Sequence, residues 1–304
     1  MSLAILMATY NGEPFISEQI KSLQQQSFQD WTLFVRDDGS SDRTRDLVSA
    51  FAADDLRIKL LPEHNNLRVT QNFFRLLEVA EGYDFYAFCD QDDWWLESKL
   101  SDAVGILQAK DAKIPRLYFA RLTIANEVLH PIGASPIPKI MSFDNALSQN
   151  VVTGCTVVIN ATGRELVLRA PRNDSRIWSH DWWFYLVISR FGELSYNPKP
   201  GILYRQHAQN LMGSKQNPLA QFVHRLRSAS VQKLEARRPS KLVEAFLDVY
   251  GSQLDNVDRR FMTKLCDRSL GLWGRMRLAL SGRWVRQSFM DTVILRLRVL
   301  LGHY

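Results

Sequence analysis

The run YDFYAFCDQDDWW, Tyr83 to Trp95, decides the reading of the fold. Its core, Asp84–Cys89, is short and almost wholly apolar, as a strand buried on both faces should be. It then stops at three carboxylates, Asp90, Asp92 and Asp93, packed into four positions and followed by two tryptophans. In an open parallel sheet, ligands bind beyond the carboxyl ends of the strands. The residues that follow each apolar run therefore carry the information.

Outward from that run, strand-like and helix-like patterns alternate. Leu3–Thr9, Trp31–Arg36, Arg57–Leu61 and Asp84–Cys89 are strand-like; Pro14–Gln26, Asp42–Ala53, Thr70–Ala80 and Glu97–Ala109 have helical spacing. Four alternations over about 110 residues predict βαβ units and a mainly parallel α/β sheet flanked by helices. Beyond it, Leu117–Ala125, Val151–Ile159 and the stretch around Leu203 are strand-like, and Asp181–Arg190 is helical. From about residue 218 the pattern is helical and basic, with breaks expected at Pro239 and at Ser281-Gly282. The cluster of Gly213, Ser214, Asn217 and Pro218 predicts a boundary. Residues 1–215 then form a catalytic domain, with halves of about 1–110 and 111–215, and 216–304 form a helical basic extension.

The bulk numbers fit a globular protein: 304 residues, 46% apolar and 23% charged. Three dispersed cysteines, Cys89, Cys155 and Cys266, make no CxxC pair or disulfide framework, so a reducing compartment is expected. The first residues, MSLAILMATYNG, lack a basic n-region and suit a first strand better than a signal peptide. No uncharged apolar run approaches the roughly 18 residues of a membrane span. A cytoplasmic protein is expected. Its net charge of +6 is uneven: residues 215–304 hold 17 Lys/Arg against 7 Asp/Glu, which leaves the body slightly acidic. A basic tail points to an anionic surface.

Three post-strand segments should meet at one sheet edge: ATYNG (8–12), RDDGSSDRT (36–44) and DQDDWW (90–95). They would gather Asp37, Asp38, Asp90, Asp92 and Asp93 around one crevice. That much like charge raises pKa values unless a cation sits among the acids. Oxygen ligands with few His or Cys nearby favour Mg²⁺ or Mn²⁺ over zinc, and such ions are held by one or two carboxylates plus substrate phosphates. A phosphorylated ligand follows. Ser40, Ser41 and Asp42 read as turn and helix-start residues; Asp90 and Asp92 exceed what capping requires.

In order, ATYNG, VRDDGSSDRT, DQDD as a D-x-D motif, SHDWW and YRQHAQN resemble the inverting nucleotide-sugar glycosyltransferases of family 2, over about residues 3–213. The wording DQDDWW, HDWW and YRQHxxN is most similar to the bacterial rhamnosyltransferase branch. The resemblance implies a GT-A fold, Rossmann-like, and transfer of L-rhamnose from dTDP-rhamnose to a bacterial surface polysaccharide. A UDP-hexose transferase of the same family, or a non-catalytic nucleotide-sugar or glycan binder, is the alternative. By the same resemblance, Thr9 and Tyr10 line the nucleoside pocket, Asp38 or Asp37 accepts from the base N–H, and Asp90 faces the ribose and sugar. Asp92 holds the metal, His207 completes the metal site or touches the diphosphate, and Asp181 is the general base. Gly154, His180 and Trp182 belong to the acceptor and sugar pocket. Each residue also has a plainer role available: Asp181 suits a helix first turn, the tryptophans suit a core, and Cys155 suits a buried small apolar position.

In the tail, Trp284, Val285, Phe289, Val293, Ile294, Leu297, Leu300 and Leu301 interleave with Arg286, Arg296 and Arg298. That suits a helix in the membrane interface, useful for a lipid-linked acceptor on the cytoplasmic membrane face. It equally suits a helix packed on the body or on a second subunit. Nucleic acid fits least, because no zinc-finger spacing or RNP motif is present.

Overall fold

The computed structural model describes residues 1–207 and 238–304. The boundary expected near residue 215 therefore lies outside the described residues. The chain divides into two compact units. The first is Met1–Ile137, Val152–Leu168 and His180–Gln209; the second is Pro138–Val151, Arg169–Ser179 and Asn210–Tyr304.

The first unit is built on a seven-stranded sheet. Its strands are β1 (Leu3–Thr9), β2 (Trp31–Asp37), β3 (Ile58–Leu60), β4 (Phe85–Cys89), β6 (Arg116–Ala120), β9 (Val158–Asn160) and β10 (Glu193–Asn197), in the order β10-β6-β9-β4-β1-β2-β3. β3, β2, β1 and β4 run parallel. β9 is antiparallel to both of its neighbours, and β10 is parallel to β6. A smaller sheet joins β5 (Trp94–Trp95), β11 (Ile202–Arg205), β7 (Thr123–Ala125) and β8 (Pro131–Ala134).

The strands are apolar on both faces because both faces are covered. On one face Leu3, Ile5 and Met7 of β1 and Phe85, Ala87 and Cys89 of β4 share an apolar cluster with α1 (Ile16–Gln24) and α4 (Lys99–Gln108). On the other, the Phe88 ring packs against Phe73 of α3 (Arg68–Val79) and Phe184 of α7 (His180–Phe191). α2 (Thr44–Asp54) and α6 (Ala161–Val167) complete the layers.

Two expected strands resolve differently. Leu117–Ala125 is two strands, β6 and β7, in different sheets. Val151–Ile159 is mostly not strand: Gly154–Thr156 makes a turn of 3-10 helix, and only Val158 onward pairs. Crowding explains the glycine in that turn, since a Cβ on Gly154 would lie 2.9 Å from His180 Nε2.

The second unit contains α5 (Phe143–Ala146), α8 (Pro239–Tyr250), α9 (Asn256–Cys266), α10 (Leu272–Ala279) and α11 (Phe289–Leu300). Pro239 stands in the first turn of α8, where its missing N–H costs nothing. Asp255 caps α9 by accepting from Val257 N and Asp258 N. Ser281-Gly282 falls between α10 and α11. Leu265, Leu278, Trp284, Leu295, Val299 and Tyr304 form this unit's apolar core. Arg283 spans Asp144 at 2.5 Å and Asp258 at 2.8 Å. No described helix is long and apolar enough to cross a membrane.

Candidate active site

Register places the carboxyl ends of three strands together. Thr9 pairs with Asp37 across β1 and β2, and Met7 pairs with Cys89 across β1 and β4. The loops after these strands are laced by side-chain-to-backbone bonds. Asn11, at φ 47, accepts from Ser41 N at 2.8 Å while its own N–H donates to Ser40 Oγ. Asparagine tolerates that left-handed conformation. Gly12 N donates to Thr44 Oγ1, and Glu13 N donates to Asp42 Oδ2. Ser40, Ser41 and Asp42 thus hold loop to loop.

The two acids of the second segment differ in how much bonding capacity remains. Asp37 accepts from Gly39 N, Ser40 N, Ser40 Oγ and Thr9 Oγ1, which fills the roughly four lone-pair sites of a carboxylate. Asp38 accepts from Arg36 Nη1 at 3.0 Å, Leu67 N at 2.6 Å and Arg68 N at 2.9 Å. One site remains on Asp38.

DQDD sits beside the first segment. Gln91 clasps the Tyr10 backbone in both directions, accepting from Tyr10 N at 2.9 Å and donating to Tyr10 O at 3.0 Å. A Cβ on Gly12 would fall 2.4 Å from Gln91 Oε1, so the glycine makes room for the clasp. The Tyr10 side chain itself is exposed.

Asp92 Oδ2 lies 2.8 Å from His207 Nε2, and the His207 ring packs on Phe15 with centroids 4.5 Å apart. Asp93 is fully buried and accepts from Arg205 N at 3.0 Å. Arg205 Nε donates to Asp92 O at 2.8 Å, and its guanidinium pairs with Glu18. Arg205 therefore pins both ends of the second acid pair. Sequence reading missed it and Gln91, although both stand inside quoted motifs; they looked like spacers between the acids and the histidine.

Asp90 is pushed up to about 7 by burial first, then by the charges of Asp92 and Asp181. Asp181, in the first turn of α7, thus belongs to the same electrostatic cluster. Its Oδ1 accepts from Trp182 N at 2.8 Å. His180 is buried against Phe73 and Phe184, and burial lowers its pKa. Its Nε2 has no hydrogen-bond partner among the described residues and faces Gly154. Trp182 keeps 9% exposure and Trp183 none.

Among the described residues, two donor sets could hold a cation. Asp90, Asp93 and Cys155 offer atoms within 4.8 Å of one another. Burial pushes the Cys155 thiol well up, which keeps it a neutral and poor ligand, and a hard ion prefers oxygen. Asp92 with His207 fits better: both atoms meet at one point, and Asp92 is partly open to solvent.

Deeper, Lys99 is buried with Nζ 3.3 Å from the centroid of the Trp95 ring. Burial lowers its pKa to about 8.

The chain has known relatives. The chain is 31% identical over 226 residues to the dTDP-rhamnosyl transferase RfbG of Shigella flexneri, covering 68% of this chain and 74% of that one. It is 31% identical over 194 residues to WfgD of Escherichia coli, a UDP-Glc:alpha-D-GlcNAc-diphosphoundecaprenol beta-1,3-glucosyltransferase, covering 64% and 72%. The structure of S. aureus TarS residues 1–349 with UDP-GlcNAc superposes with a TM-score of 0.59 at 16% identity, covering all of this chain and 81% of that one. That likeness establishes the expected α/β fold of GT-A type. The family described as Glycosyl transferase family 2 matches residues 4–209, so the chain belongs to that family and is a glycosyltransferase.

Proposed function

We propose that the protein transfers L-rhamnose from dTDP-rhamnose, with inversion, onto a bacterial surface polysaccharide. The observation that carries the chemistry is the charge cluster at the carboxyl edge: Asp90 lies in the field of both Asp92 and Asp181. One carboxylate beside the metal pair and another at the start of α7 suit a leaving-group side and a base side. The donor assignment draws support from the 31% likeness to the Shigella rhamnosyl transferase.

In this reading Thr9 and Tyr10 border the nucleoside, and Asp38, with its remaining acceptor site, takes the base N–H. Asp37 holds the loop. Asp90 faces the sugar. Asp92 and His207 would hold Mg²⁺ or Mn²⁺, which when bound supplies Lewis-acid stabilisation of the departing diphosphate. Asp181 removes the proton from the acceptor hydroxyl as it attacks the anomeric carbon. No covalent enzyme intermediate is needed, and one base opposite one leaving group inverts the centre. Gly154 lies against His180 and beside Asp181, which supports reading the three as one wall of the acceptor pocket.

A second reading, a UDP-hexose donor, is favoured by the equal identity to the Escherichia coli glucosyltransferase. That relative's diphosphoundecaprenol acceptor also supports a lipid-linked acceptor here, and with it work at the cytoplasmic membrane face.

Calorimetric titration tests the reading, with dTDP-rhamnose, UDP-glucose and UDP-galactose, each with Mn²⁺ and with EDTA. Metal-dependent binding of dTDP-rhamnose alone, lost in Asp92→Ala, is the expected result. Preferential binding of a UDP-hexose would replace the donor; absence of binding by all three would overturn the site assignment.

A further inference from the structure

The second unit carries an apolar surface that its own core does not use. On α11 Met290, Ile294 and Leu297 are exposed, at 63%, 38% and 54%, as is Leu301 at its C-cap, at 67%. Their spacing of four, three and four residues keeps them on one stripe of a helix. Leu295 and Val299, which point to the unit's core, lie on the other side. Phe289 opens the same helix at 81% exposure. On the adjoining α10, Leu272 and Trp273 are exposed, as is Leu280 directly after it, while Leu278 and Ala279 are buried.

This changes which tail residues face outward. The sequence pattern counted Trp284 among an interfacial set, yet Trp284 is 2% exposed and stacks on Tyr304 in the core. The outward set is instead Trp273, Leu280, Phe289, Met290, Leu297 and Leu301.

Charge selects the partner. Residues 268–304 contain seven arginines and one acid, Asp291. On a helical wheel the exposed Arg298 borders the α11 stripe, and the exposed Arg277 adjoins the Trp273 and Leu280 positions of α10. A protein partner would meet the apolar stripe as readily without this charge. An apolar stripe, an exposed tryptophan and flanking arginines whose stems can lie along the apolar surface together match a bilayer with anionic headgroups.

We propose that the α10–α11 face docks flat on an anionic membrane surface, with Trp273, Phe289, Met290, Leu297 and Leu301 entering the headgroup–acyl boundary. The proposal goes beyond the glycosyltransferase reading and does not depend on the donor. It adds a binding surface remote in sequence from the family 2 segment.

The test is flotation of the full chain with vesicles of phosphatidylcholine alone and with 30% phosphatidylglycerol, about one lipid in three being charged as a working choice. Binding should require the anionic lipid and weaken with salt. The double variant Met290→Glu/Leu297→Glu, at exposed positions, should lose binding at least tenfold while its circular dichroism and donor binding stay unchanged. Arg277→Gln and Arg298→Gln should each weaken binding roughly fivefold. Equal binding to both vesicle types, or an unaffected double variant, overturns the proposal. So does a wild-type dimer in light scattering that the double variant makes monomeric, since the face would then belong to a second copy.

Discussion

Arg205 and Asp93 meet through the Arg205 backbone N–H, 3.0 Å from Asp93 Oδ1, while the same arginine's Nε reaches the Asp92 carbonyl at 2.8 Å. The last strand of the first unit thereby fixes the loop that bears the proposed metal acid. Replacing Arg205 by Met removes the guanidinium contacts and keeps the backbone bond. Glu18 is half exposed and rehydrates, but the carbonyls of Asp92 and Glu127 lose their donor, so the loss should be about 1–3 kcal/mol of stability. Urea unfolding checks this, and metal-dependent nucleotide binding should weaken in the same variant.

Asp181→Asn should lower the transfer rate by a factor on the order of 10²–10⁴ and leave donor affinity unchanged, as expected for loss of a base. Single-turnover transfer and calorimetry, run side by side, separate the two. A matching loss of donor binding would remove Asp181 from the base role.

His207→Ala should remove most of the Mn²⁺ dependence of nucleotide binding without altering the fold, because His207 meets Asp92 at 2.8 Å. Titration of nucleoside diphosphate with and without EDTA reads this. Wild type should lose affinity on chelation; the variant should bind weakly under both conditions.

Lys99 gives a pH-dependent prediction. Its folded pKa, about 8, lies below its ordinary 10.5 because burial disfavours the ammonium. Between those values the unfolded chain binds more protons than the folded one, so stability rises as pH rises from about 8 to 10.5. Below pH 8 the full cost is present. At pH 7 Lys99→Met should therefore be the more stable protein. Its advantage should shrink by on the order of 3 kcal/mol across that window. Denaturant midpoints of both proteins at pH 7, 9 and 10.5 decide it; a constant difference would show that Lys99 does not titrate there.

Gly154→Ala should destabilise by roughly 1–3 kcal/mol, as overpacking does, because the new methyl would lie 2.9 Å from His180 Nε2. Gly154→Ala combined with His180→Ala should recover much of that loss, a coupling that thermal unfolding can measure.

The parallel half of the fold was legible because each strand there is a bare apolar run bounded by turn residues: Leu3–Thr9 has the same limits in sequence and structure. β10 was not, since Glu193–Asn197 mixes charge and polarity and is half-buried along its length. Val151–Ile159 misled because its apolar residues suit a strand, while Gly154–Thr156 forms a turn that packs against His180 of α7, far away in sequence. In the site, the acids and His207 announced themselves by type. Arg205 and Gln91 did not, because their value lies in which backbone atoms they reach. Asp37 and Asp38 look alike in sequence; only the count of bonds to each carboxylate distinguishes a loop brace from an open acceptor.

The antiparallel β9, placed between β4 and β6, interrupts the parallel sheet. ATYNG, DDGSS and DQDD all follow strands on one side of that interruption, β1, β2 and β4. α7 crosses it: Phe184 packs on Phe88 of β4, and the same helix touches β6 and β10. One helix thus couples the two directions of chain, and a change along it is felt on both sides.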